Sequence, residues 1–77
     1  MRPDFFRQLL SAAPFRPFRV FVSDGGTYDV AHPEAARIDG ATLEIAVRPS
    51  GFAGPPGERT ANVSLIHVSR VELFYPR

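Results

Sequence analysis

The residues in this chain that could do chemistry are few. His32 and His67 are the two histidines. With Asp29 and Glu34 they offer imidazole and carboxylate ligands of the kind that zinc or iron takes. A closed tetrahedral site built on two histidines and no cysteine needs two carboxylates to converge as well, so the expectation is no bound metal. Ser64, His67 and Ser69 lie close in sequence and could supply a nucleophile and a base. Neighbours on a strand point to opposite faces, and no Gly-x-Ser-x-Gly elbow is present. Gly51, Gly54 and Gly57 recur at a spacing of three, but Pro55 and Pro56 remove backbone donors and no Lys follows, so no phosphate cradle is expected. A chain of 77 residues leaves little room for a water-excluding cleft. We expect no enzyme, no catalytic residue, no cofactor and no small-molecule substrate.

Arginine interleaved with aromatics is the remaining signal. Arg2, Arg7, Arg16 and Arg19 crowd the first quarter, among Phe5, Phe6, Phe15, Phe18 and Phe21. Four arginines against Asp4 give residues 1–19 a local charge of +3, the one charge asymmetry in the chain. These four arginines are the candidate nucleic-acid contacts, since phosphates attract guanidinium groups and bases stack on aromatic rings. The whole chain carries only +1, from nine Arg, no Lys and eight acids, so it has no polybasic tail.

Elements that could position such groups follow from periodicity. Residues 3–12 read as a short helix. Pro3 suits its first position, Asp4 its positive end, and Phe5, Phe6, Leu9, Leu10 and Ala13 form one apolar stripe. Pro14 and Pro17 stop it. Residues 18–23 switch to period two, with Phe18, Val20 and Val22 inward. Phe21 falls on the other face, which predicts that the helix covers part of that face. Asp24-Gly25-Gly26 is a hairpin turn, and residues 27–31 return. Pro33 ends that pairing. Residues 35–38 and 41–47 form a second hairpin about Asp39-Gly40, with Leu43, Ile45 and Val47 inward. The Gly- and Pro-rich run 49–58 reads as a flexible loop, and residues 59–63 as the next strand. Residues 64–68 form a tight turn, 69–74 the last strand and 75–77 a frayed end. Val30, Tyr28, Val63, Val71 and Leu73 complete the expected core, with Phe6, Leu9 and Leu10 packed over one end. The sum is a mainly β domain spanning 1–77: a short N-terminal helix, then a five-stranded, strongly bent antiparallel sheet, a small barrel.

Two resemblances accompany this order. The runs 14–25, 28–34 and 65–72 are similar to a family of short uncharacterised bacterial proteins, which implies no activity. The helix followed by five strands, with a tight turn leading through Ile66-His67-Val68-Ser69-Arg70-Val71 into the last strand, resembles the Sm-like (LSm/Hfq-type) proteins, a variant of the SH3-type barrel. In the Hfq-type members a Lys-His pair in that turn contacts RNA. Leu65 and Ile66 fall at those positions here, with His67 displaced by one. The stretch from Ala35 to Gly40, at the end of the first Sm motif, lacks the Asn or Gln that holds a base. The resemblance therefore implies the barrel and not the RNA site.

Eight Pro and six Gly suit short strands and turns, and a domain this size buries only about 60% of its unfolded surface. Without cysteines it has no disulfide staple and must rely on packing or self-association. The first residues mix Arg2, Asp4 and Arg7 with apolar ones, so no signal peptide or membrane span is expected and the predicted location is the cytoplasm. The resulting expectation is a non-enzymatic module acting through self-association or a macromolecular partner, with an Sm-like nucleic-acid binder as the alternative. The predicted homo-oligomer interface uses the edges of the last two strands: Arg59, Ala61 and Val63 on one, and Val68, Arg70, Glu72 and Phe74 on the other. Arg70 and Glu72 would pair with their counterparts across it.

Overall fold

The computed structural model describes residues 1–47 and 59–74, with backbone alone at Arg59. The expected loop 49–58 and frayed end 75–77 lie outside the described residues. The chain runs through α1 (Pro3–Ser11), β1 (Phe18–Val22), β2 (Thr27–Val30), a 3-10 turn (Pro33–Ala35), β3 (Ala36–Asp39), β4 (Thr42–Val47), β5 (Arg59–Ser64), a second 3-10 turn (Leu65–His67) and β6 (Val68–Leu73). Pro3 opens α1 and Asp4 lies in its first turn. Ala12 is already extended, so the helix stops one residue short of the expected end, ahead of Pro14.

Two hairpin turns behave as their glycines require. Gly25, at φ 94°, lets the β1–β2 turn close, and Gly26 N–H donates to Asp24 Oδ1 at 2.8 Å. Gly40, at φ 58°, does the same between β3 and β4.

The sheet arrangement departs from the single five-stranded sheet. Among the described residues six strands divide into two three-stranded antiparallel sheets, in the orders β2-β1-β6 and β3-β4-β5, and the sheets do not close into one. The division falls at Pro33–Ala35. Proline cannot donate to a ladder, and the 3-10 turn it opens separates β2 from β3.

The two inner faces share one core. Phe18, Val20 and Val30 from the first sheet meet Ala36, Leu43, Ile45 and Val63 from the second, and all are buried. Phe6, the fully buried residue of α1, lies over them with its ring 6.2 Å from that of Phe18. Each large side chain so buried contributes roughly 1.5–3 kcal/mol, which is how a core this small holds without staples. Val22, Tyr28, Val47, Val71 and Leu73, expected within the core, are half-buried at its margin, together with Leu9 and Leu10. Phe5 is exposed, its ring edge-on to Phe6 at 5.4 Å.

One register shift corrects the reading of the last strand. Phe21 pairs with Arg70, but Val22 pairs with Val68, so Ser69 is an extra residue in β6. Its hydroxyl donates to the Phe21 carbonyl at 3.0 Å. The bulge reverses the side-chain parity before it. Val68 therefore turns into the core with Leu65 instead of lying on the outer face beside Arg70 and Glu72.

Candidate interaction surfaces

Three kinds of feature face outward: strand edges, one sheet face and one groove. The edges follow from the topology. β5 pairs with β4 along one side only, and β6 pairs with β1 along one side only. Among the described residues neither has a second strand partner, so each presents a row of unpaired backbone groups. The predicted interface residues divide on these edges. Val63 and Val68 are buried and Ala61 is half-buried, so the two valines are core, and offer an interface only backbone. For Arg59 the backbone alone is described. Arg70, Glu72 and Phe74 are exposed.

The outer face of the first sheet is an ordered grid. Across β2, β1 and β6 one row reads Asp29, Arg19, Glu72 and the next Thr27, Phe21, Arg70. Arg19 donates twice to Asp29, at 2.6 and 3.0 Å. Those bonds hold the Asp29 carboxyl below the usual range, against the opposing effect of its partial burial. Arg19 also sits 5.2 Å from the centre of the Phe74 ring. Arg70 lies 4.0 Å from the Phe21 ring centre and pairs with Glu72 of its own strand at 3.3 Å. The cover over Phe21 is thus a guanidinium group from β6, and α1 packs instead against β3 and the Pro33 turn. Sequence reading missed this stack, although Phe21 on an otherwise polar face was its signal. Arg70 and Glu72, expected to pair across copies, are already paired within one.

The four N-terminal arginines are not gathered into a phosphate cradle. Arg7 pairs with Asp4 at 3.2 Å, Arg19 with Asp29, and Arg16 also makes an interaction within the chain. Arg2 is exposed and has no such partner among the described residues.

A groove of about 470 Å³ opens between the β1–β2 turn and the β5–β6 turn. Val22 and Val63 supply its apolar lining and Tyr28 an aromatic ring. Ser23, Asp24, Asn62, Ser64 and His67 line the rest. The Ser23 N–H to His67 carbonyl bond, 2.8 Å, ties its two turns together. Sequence distance hid this groove, since its halves are about forty residues apart. A smaller hollow of about 240 Å³ lies on the second sheet, beside Ala46, Thr60 and the Arg37–Glu44 ion pair.

His67 and Ser64 share the groove, but Ser69 bonds the β1 backbone and is not with them. His32 precedes the first 3-10 turn, away from His67. Among the described residues no three His, Asp or Glu side chains are gathered as metal ligands, and no helix is long and apolar enough to cross a membrane. No protein-family model, curated protein or solved structure matches this chain.

Proposed function

We propose that this chain is a small-barrel module of the Sm-like type that works by self-association, not by catalysis. The observation that carries the reading is that β5 and β6, which like β2 and β3 are edge strands, have no second partner among the described residues. Long uncovered edges favour pairing with another chain unless charge, proline or a cover blunts them. A head-to-tail pairing of β5 in one copy with β6 in the next would satisfy both edges and repeat indefinitely or close a ring. The Sm-like comparison is supported by element order: a helix, then β6-β1-β2 beside β3-β4-β5, with only residues 31–35 between β2 and β3 and a 3-10 turn before the last strand. The proposed setting is the cytoplasm, in keeping with a chain without cysteine.

Light scattering on the purified chain tests this. The expected mass is a multiple of 8.5 kDa, and a mass of 8.5 kDa at high concentration sinks the proposal. Thr60→Lys places a charge on the exposed side of β5 without touching the core, and should shift the mass towards monomer while the circular dichroism stays unchanged.

A second reading, nucleic-acid binding, draws on the stacked Arg70–Phe21 and Arg19–Phe74 pairs. Asp29 and Glu72 beside those arginines cancel their charge, which removes the phosphate attraction that dominates such affinity. Titration with labelled RNA and DNA at two salt concentrations separates the readings. Tight binding that weakens steeply with salt favours this second one.

A further inference from the structure

We infer that the groove between the β1–β2 and β5–β6 turns receives the Arg2 guanidinium of a second copy, so that each copy completes its neighbour's site. The inference rests on the self-association reading and adds to it a specific charged contact.

Asp24 carries the argument on the receiving side. Its Oδ1 takes the Gly26 N–H, and among the described residues no cation pairs with the carboxylate. Asp4, Asp29, Glu44 and Glu72 each have an arginine partner, and Glu34, which like Asp24 has none among the described residues, lies by the hollow on the second sheet and not in this groove. None of the arginines whose side chains are described lines the groove. What does line it complements a guanidinium group on an apolar stem. Ser23, Ser64 and Asn62 offer oxygen acceptors, Val22 and Val63 offer apolar surface, and Tyr28 offers a ring face. Of the groove's described lining, Asp24 is the one carboxylate and His67 the one imidazole.

Arg2 carries the argument on the giving side. Of the arginines whose side chains are described, it is the one with no hydrogen bond, ion pair or ring contact. It is held in place by its neighbour, because the Met1 amino group donates to the Leu65 carbonyl at 3.1 Å. Leu65 begins the same 3-10 turn whose His67 carbonyl anchors Ser23. Arg2 and Asp24 are therefore both tied to the turn that joins β5 to β6. They do not meet within the chain. Head-to-tail pairing of β5 with β6 brings the turn of one copy beside the turn of the next, and there the two charges can pair. Ile66, 78% exposed on that turn, would be covered by the same contact.

A charge swap tests it. Light scattering over a concentration series is run on the wild type, Asp24→Asn, Asp24→Arg, Arg2→Asp and the Arg2→Asp/Asp24→Arg double variant. Asp24→Asn keeps the acceptor for Gly26 N–H and removes only the charge, so a lost turn cannot explain its effect. Each reversal should weaken assembly about tenfold or more, Asp24→Asn by roughly threefold to tenfold, and the double variant should recover to within about threefold of wild type. If the Asp24 variants assemble like an oligomeric wild type, this inference is overturned and the edge pairing stands. Singles that weaken assembly without recovery in the double also overturn it. A monomeric wild type overturns the edge pairing and the inference together.

Discussion

The two sheets are alike inside and unlike outside. Within, each presents a row of fully buried apolar side chains, Phe18 and Val20 on one, Leu43 and Ile45 on the other. Outside, the first sheet shows two rings with a guanidinium group near each, Phe21 with Arg70 and Phe74 with Arg19. The second shows Arg37 and Glu44 with Ala46 and Thr60, and no ring among the described residues. An inner face is constrained by the shared core, whichever sheet supplies it. An outer face is free to differ, so the difference marks where the molecule spends its large side chains on something other than burial.

The largest test of the inner likeness is truncation. Phe18→Ala should cost about 3–5 kcal/mol and Leu43→Ala about 2–5 kcal/mol, because each is fully buried and leaves a cavity. Urea unfolding measures both. A loss under about 1 kcal/mol for either would show that its sheet does not share the core as described. Next come the two hairpin turns, one per sheet. Gly25→Ala and Gly40→Ala should each cost roughly 1–2 kcal/mol, since both hold positive φ. Equal losses keep the likeness, and a loss confined to one turn breaks it. On the outer faces, Phe21→Ala should cost about 1 kcal/mol or somewhat more through the lost stack with Arg70, whereas Thr60→Ala should stay within about 0.5 kcal/mol. Similar small values at both sites would erase the outer contrast.

The smallest effect is a pH dependence confined to the first sheet. Arg19 lowers the Asp29 pKa in the folded chain, so folding favours the carboxylate. That contribution is fully present above the ordinary aspartate value of about 3.8 and is lost as pH falls through the lowered folded-state value. Acid titration of stability should lose part of its slope in Asp29→Asn. An unchanged acid limb would mean that the pair is screened by solvent and carries no net stability.

Much of this was legible in the chain, and for identifiable reasons. Pro3, Asp4 and the Phe6–Leu9–Leu10 stripe mark the helix, the Asp-Gly turns mark both hairpins, and alternation marks Val20, Leu43 and Ile45 as core. What escaped was set by tertiary pairing. Ser69 gives no local sign that it is an extra residue, so strict alternation put Val68 outside. Leu65 lies in a segment without alternation, so its burial had no periodic signal. The division into two sheets depends on how far a 3-10 turn at Pro33 separates its neighbours, which composition does not state. The groove depends on Ser23 meeting His67 across the fold.

The pairing of β1 with β6 has a consequence for how the molecule forms. The β1–β2 and β3–β4 hairpins close over four and two residues, but β1 meets β6 only after about forty-five intervening residues. Loop closure of that length is slow relative to a hairpin, so the third strand of the first sheet is the last to arrive. Until it does, one side of β1 is an open slot of fixed register. A β6 from a neighbouring copy satisfies that slot with the same hydrogen bonds and the same bulge as the chain's own. Concentrated refolding should therefore yield exchanged dimers alongside the native form, with the intact β1–β6 ladder made between chains.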